Sequence, residues 1–205
     1  MKRASVVLEE YDPSWPSKFE DEKSDLMAIA GEWCHGGIEH VGSTAVPGMV
    51  AKPVIDIMFG VVSLEESRPA IDVLVENGYE YWPYKTDVMH WFCKPSDAFR
   101  THHLHLIPFE SPLWNQRIKF RDLLRSNERI ASDYERLKRD LAASHQEDRE
   151  TYTQKKMAFY TAGASRCPML TKVLWRRCAA RTASILVVPP YISAAAYTGV
   201  SQNDK

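Results

Sequence analysis

"IEHVGSTAVPGMVAKPVIDIMFGV", residues 38–61, decides how the chain is read. "IEHV" predicts a short strand. "PVIDIMFGV" is apolar, β-branched and bounded by Pro53, which predicts a buried strand. Between them lie Gly42-Ser43-Thr44, Pro47-Gly48 and Lys52, and Asp56 sits inside the second run. Gly42 allows the backbone to approach an anion, and Ser43 and Thr44 offer hydroxyl and amide donors to its oxygens. Lys52 adds a point charge. Asp56, on the strand beneath, suits a Mg²⁺ ion held against a triphosphate. The same residues would also serve as an ordinary Gly-Ser turn and a hydrogen-bonded core aspartate. Spacing alone leaves both readings open.

Two phosphate-binding motifs are excluded. The P-loop needs GxxxxGK[ST], but Gly48 is followed by Met49, and no GxGxxG is present. A strand, a Gly-Ser bend and a second strand carrying an acid is instead the layout of polymerase-β-like nucleotidyltransferases. Their full pattern has two acids on the second strand. Here the run is Asp56-Ile57-Met58, so the second metal ligand is missing.

A second cluster is "RTHHLHLIPF", residues 100–109. Strand alternation puts His103 and His105 on one face, with Thr101. Paired imidazoles suit a metal, a phosphate or acid–base work, and also a hydrogen-bonded core. A His-x-His-x-His signature is incomplete, because Ile107 takes the third place. In a nucleotidyltransferase sheet this strand would carry the third acid, and His103 or His105 would replace it near Asp56.

Outward from these segments, residues 16–31 predict a helix capped by Ser14 or Ser17. Residues 63–78 predict another, with Ser63 and Glu66 as a capping box and Gly78 at its end. "YEYWPY", "MHWFCK" and "HHLHLIPF" read as three short strands. From Ser111-Pro112 onward, three charged segments carry helical periodicity. The order predicts an α/β (α+β) domain: a small mixed sheet with a helical C-terminal half. Residues 1–165 are expected to form this domain, and 166–205 a poorly ordered basic tail.

Composition fits one globular domain of 205 residues, 44% hydrophobic. The net charge of -1 gives no bulk attraction to nucleic acid or to a membrane surface. From Arg166 onward the chain carries six Lys and Arg against one Asp. Cysteines 34, 93, 167 and 178 form no CxxC pair, and the acidic start lacks a leader's apolar core. A cytoplasmic protein with free thiols is expected. "ASILVVPPYISAAAYTGV", residues 183–200, is broken by Pro189-Pro190 and is not read as a membrane span.

The 38–61 stretch resembles the signature of the GrpB family, named for glutamate-rich protein B, within the nucleotidyltransferase-fold superfamily. "VVLEEYDPSWPSKFEDEK" looks like that family's Tyr-Asp-Pro-x-Trp start. Residues 100–142 look like its His-Leu-His strand and following helices. "YTQKKMAF" looks like its closing Tyr-x-x-x-Lys helix, at Tyr152 and Lys156. The likeness spans about residues 6–162, and Asp-x-Met is typical of the family. It implies a polymerase-β-like fold and, by membership, nucleotidyltransferase activity. In some bacteria such a domain is fused behind dephospho-coenzyme A kinase.

The expectation is therefore a Mg²⁺-dependent enzyme that moves a nucleotidyl group from a nucleoside triphosphate to a small acceptor. Gly42, Ser43, Thr44 and Lys52 hold phosphate, bordered by Glu39 and His40. Asp56 binds the metal, with His103 or His105 as third ligand or general base. Arg100 and Arg121 lead the basic residues that would grip the triphosphate. A nucleotide- or coenzyme-sensing module is the rival, because a single carboxylate holds Mg²⁺ weakly. A protein-binding scaffold is the third possibility.

Overall fold

The protein is described from a computed structural model, which covers residues 6–146, 148, 151–156 and 159. All of these fall in the unit Met1–Gly163. The expected tail, the rejected membrane segment and Cys167 and Cys178 lie outside the described residues.

The elements run in chain order. Helix α1 (Trp15–Ala30) leads to strand β1 (Ile38–Val41), a single 3₁₀ turn at Ser43–Ala45, and strand β2 (Ile55–Val61). Helix α2 (Ala70–Glu76) precedes strands β3 (Glu80–Trp82), β4 (His90–Pro95) and β5 (Arg100–Pro108). Helices α3 (Pro112–Ser126) and α4 (Glu128–Ser144) follow, and residues 151–156 are helical. The sheet order is β1-β2-β5-β4-β3. β2 and β5 run parallel and the other pairs antiparallel. This is the expected α/β class with a small mixed sheet.

Alternation along the two central strands sorts the sheet into two faces. Ile55, Ile57, Phe59, Leu104 and Leu106 pack with Trp15, Phe19, Leu26 and Leu74 beneath α1 and α2. Met58 and Ile107 face the other way, onto Val41, Met89 and Trp114. Gly60 is required on β2 because a Cβ there would lie 2.2 Å from the His35 carbonyl oxygen. That closeness lets His35 N donate to Gly60 O at 2.7 Å, while Gly60 N donates to Gly37 O at 2.9 Å.

Two helix starts differ from expectation. At α1 no serine side chain caps the helix; instead the Asp12 carboxylate accepts from Ser14 N and Oγ. At 63–78 the capping box forms, with Glu66 N donating to Ser63 Oγ at 3.1 Å and Ser63 Oγ to Glu66 Oε1 at 2.9 Å. The helix nevertheless begins only at Ala70. Pro69 lacks an N–H and cannot continue an earlier helix, so residues 64–69 remain turns. α3 starts as read, with Ser111 Oγ accepting from Trp114 N and Pro112 in the first turn.

The helical half holds the bend between β1 and β2 through its carbonyls. Arg121 donates to His40 O at 3.1 Å and Arg125 to Ala45 O at 2.9 Å. Lys138, 1% exposed, donates to Val50 O. Val46 and Met49 of the same loop pack on Leu124 and Tyr134.

Burial, aided by the charge of Lys156, pulls the Lys138 ammonium from 10.5 down to about 7. Between those values the unfolded chain holds a proton that the folded chain lacks, so stability rises with pH across that interval. The gain reaches up to about 5 kcal/mol at about 1.4 kcal/mol per pH unit. Lys138→Met should remove this slope, while leaving Val50 O unsatisfied at a pH-independent cost of about 1–3 kcal/mol. Urea unfolding of both proteins at pH 7 and pH 9 checks it: parallel pH dependences would refute the assignment.

Candidate functional site

Parallel register places Asp56 directly across from His103, and the antiparallel neighbour puts Val41 on its other side. All three lie on the face away from α1. His103 Nδ1 is 2.9 Å from Asp56 Oδ1. A carboxylate only accepts, so Nδ1 carries the proton and donates. The lone pair of His103 is thereby left on Nε2, where Arg100 NH1 donates at 3.5 Å. His105 Nε2 is 4.0 Å from the same Asp56 oxygen, beyond hydrogen-bond distance.

The charge states follow. Burial alone would raise the Asp56 carboxyl, but the hydrogen bond from His103 and the neighbouring His105 outweigh it and hold it well below the ordinary range. Burial lowers His103, opposed by Asp56 and aided by Arg100 and Lys52. Burial and Arg117 lower His105 to about 3. At neutral pH the group is thus a carboxylate flanked by two neutral imidazoles. The Asp56 side chain is 30% exposed, against 13% for His103, so the carboxylate is the open part of the pair.

Gly42 closes the site from the bend. Its φ is +74°, and a Cβ there would lie 2.3 Å from Asp56 Oδ2. Ser43 follows, half-buried, in the 3₁₀ turn. Arg100 also pairs with Asp97 and lies 4.8 Å from the Trp91 ring centre. That indole is 5.3 Å from the His103 ring. Lys52 lies over the Tyr152 ring at 5.3 Å, and Lys156 lies 5.6 Å from the same ring.

Other expected residues lie elsewhere. His40 is on the opposite face, stacked on Phe19 with ring centres 4.8 Å apart. Its Nε2 is 3.0 Å from Thr44 Oγ1, and that hydroxyl donates to Val54 O at 3.3 Å. Both side chains are engaged in bracing the bend. Arg121 pairs with Glu39 at 2.6 Å and Asp122 at 2.8 Å, so Glu39 and Arg121 fasten α3 to β1. A surface cleft of about 320 Å³ lies beside them, bounded by Phe19, Ile38, His40, Ala45 and Arg125. It does not include Asp56.

Trp91 and Arg117 were not singled out from the sequence. Alternation in "MHWFCK" puts Trp91 and Cys93 on one face. Only the β4–β5 register, Trp91 with His105 and Cys93 with His103, shows that this is the site face.

The donor set does not make a Mg²⁺ site of the protein's own. Among the described residues no group of three His, Cys, Asp or Glu side chains is placed to hold a metal ion. Asp56 is the one carboxylate recorded beside the two histidines, and His103 already occupies one of its oxygens. Mg²⁺ prefers several oxygen ligands in octahedral array.

A mixed five-stranded sheet, with a Gly-Ser bend leading to an aspartate on its second strand, is consistent with a nucleotidyltransferase-like fold. Residues 5–166 match the family model described as "GrpB protein", and the chain belongs to the GrpB family. It is 35% identical to "Glutamate-rich protein GrpB" of Alkalihalophilus pseudofirmus, over 78% of this chain and 94% of that protein. It is similar to the crystal structure of conserved protein GrpB from Enterococcus faecalis. The TM-score is 0.72 at 32% identity, covering 82% of this chain and 99% of the other. A 120-residue stretch is 35% identical to part of a dephospho-CoA kinase of Mycolicibacterium paratuberculosis, covering 57% of this chain but only 28% of that protein. Among the described residues, no helix is long and apolar enough to cross a membrane.

Proposed function

We propose that the chain binds a nucleoside triphosphate at the Asp56 face of the sheet and transfers its nucleotidyl group to a hydroxyl of a small acceptor. One observation carries the reading: His103 Nδ1 donates to Asp56 Oδ1 at 2.9 Å. A carboxylate that orients a neutral imidazole leaves the other ring nitrogen as a base. In this role Arg100 turns from His103 Nε2 to the phosphate, and Nε2 takes the acceptor's proton while Asp56 steadies the resulting imidazolium. Gly42 and Ser43 present the bend to phosphate, and Lys52 and Arg100 neutralise the developing charge. Glu39, His40, Thr44 and Arg121 brace the bend. A divalent ion, where one takes part, arrives on the triphosphate, and no step is assigned to it.

Pyrophosphate release from each of ATP, GTP, CTP and UTP, measured with a pooled small-metabolite fraction as acceptor source, tests the proposal. Release is expected with at least one nucleotide and is expected to be lost in Asp56→Asn. Release that is unchanged in Asp56→Asn refutes it.

The single carboxylate favours a second reading, a module that binds a nucleotide or coenzyme-like ligand without turnover. The partial similarity to a dephospho-CoA kinase accords with such a ligand. A nucleotide-dependent rise in melting temperature without pyrophosphate release would select it.

A further inference from the structure

We infer that the cleft bordered by α1, the edge strand β1 and α3 is a second ligand site, and that it takes a free amino acid with an apolar side chain. The cleft does not include Asp56, so this stands apart from the nucleotide reading.

The cavity comes first. Its volume of about 320 Å³ lies within the range of small-molecule pockets. One part of its border is apolar, supplied by Pro16, Phe19, Ile38, Ala45 and Pro47. The polar groups on the rest of the border fall into donors and acceptors.

Arg125 and Tyr11 are the donors. Arg125 Nε donates to Ala45 O at 2.9 Å, which fixes the plane of the guanidinium. Its NH1 stands 4.0 Å from Asp122 Oδ1, beyond hydrogen-bond distance. Arg121 Nε already holds that oxygen at 2.8 Å. The NH1 and NH2 groups of Arg125 therefore donate to no acceptor among the described residues. Tyr11 is held edge-on against Trp15, with ring centres 5.4 Å apart, and its hydroxyl has no hydrogen-bond partner among the described residues. A planar guanidinium fork beside a hydroxyl suits a carboxylate.

His40 and Glu39 are the acceptors. Thr44 Oγ1 donates its one proton to Val54 O, so it accepts from His40 Nε2. The neutral ring then carries its lone pair on Nδ1, which has no partner among the described residues. Burial, opposed by Asp56, keeps the imidazole neutral by lowering its pKa to about 4. Glu39 binds Arg121 through Oε2 at 2.6 Å, and its Oε1 is unengaged among the described residues. A lone pair and a carboxylate oxygen suit an ammonium group.

One small molecule answers all three parts of the border. An amino acid brings a carboxylate for Arg125 and Tyr11, an ammonium for His40 and Glu39, and an apolar side chain for the remaining wall. A phosphate meets the Glu39 carboxylate, and a simple amine leaves the Arg125 fork unmatched.

Calorimetric titration of the full chain with L-phenylalanine and L-leucine tests this. At least one should bind, at one equivalent per chain. Phenethylamine, which lacks the carboxylate, and 3-phenylpropionate, which lacks the ammonium, should each bind at least about tenfold more weakly than L-phenylalanine. Arg125→Lys keeps a donor for Ala45 O but loses the fork, and should weaken binding about tenfold. Tyr11→Phe removes only the hydroxyl and should weaken it about threefold, which keeps the test open if Arg125→Lys fails to fold. Binding of neither amino acid at millimolar concentration overturns the inference. So does 3-phenylpropionate or phenethylamine binding as tightly as L-phenylalanine, because the cleft then does not read both charges. Binding that ignores both Arg125→Lys and Tyr11→Phe places the ligand elsewhere and also overturns it.

Discussion

His103→Asn should slow nucleotidyl transfer by about 10²–10⁴-fold, the usual contribution of a positioned general base, with little loss of stability. The asparagine amide nitrogen stands where Nδ1 stood and can still donate to Asp56 Oδ1, so the carboxylate keeps a partner. What disappears is the lone pair on the other ring nitrogen. The pH profile separates this role from a merely structural one. Burial holds His103 below the ordinary histidine range. In wild type the rate should fall as pH drops through that lowered value, because protonation removes the base. In His103→Asn this acid limb should vanish along with most of the rate. His105→Gln should cost less than about tenfold, because at 4.0 Å His105 Nε2 is beyond hydrogen-bond distance of Asp56. An unchanged rate in His103→Asn, or an acid limb that survives it, refutes the base assignment.

The parts of this site that the sequence disclosed were those governed by local rules. β-branched runs and alternation were sufficient to place Asp56 on β2, and His103 with His105 on one face of β5. The glycine at position 42 and the helix start at Ser111 carry their own backbone signals. What the sequence did not disclose depends on long-range pairing. Fold analogy brought His103 or His105 near Asp56, but which of them bonds the carboxylate depends on the parallel β2–β5 register, set by packing. Basic side chains were the least legible. Arg121, Arg125 and Lys138 have the chemistry to grip phosphate, yet each is bound to a carbonyl of the bend. A lone cation's partner is decided by which loop lies within reach, and helical periodicity is silent on that. His40 illustrates the same limit at short range. It stands two residues from Gly42, but strand alternation turns it to the opposite face, onto Phe19.

Gly42→Ala should be the most damaging single-methyl change at the site. Two costs combine there. A positive φ is unfavourable for any residue with a Cβ, at about 1–3 kcal/mol. The new Cβ would also stand 2.3 Å from Asp56 Oδ2 and 3.0 Å from both its Cβ and Cγ. Asp56 is anchored on a central strand and cannot withdraw as a long side chain would. Relief requires the carboxylate to rotate, and rotation breaks the bond to His103 Nδ1. Gly48→Ala isolates the first cost: its φ is +75°, but nothing lies within 4 Å of the added methyl. Both variants should therefore melt lower, by about 2–4 °C per kcal/mol lost in a chain of this size. Only Gly42→Ala should also lose nucleotide-dependent pyrophosphate release, because only there does the methyl displace the carboxylate from His103. If Gly42→Ala releases pyrophosphate like wild type once its lower stability is allowed for, Asp56 and the bend do not form one site. If Gly48→Ala loses pyrophosphate release equally, the loop's general order matters to the reaction, and the contact between Gly42 and Asp56 does not.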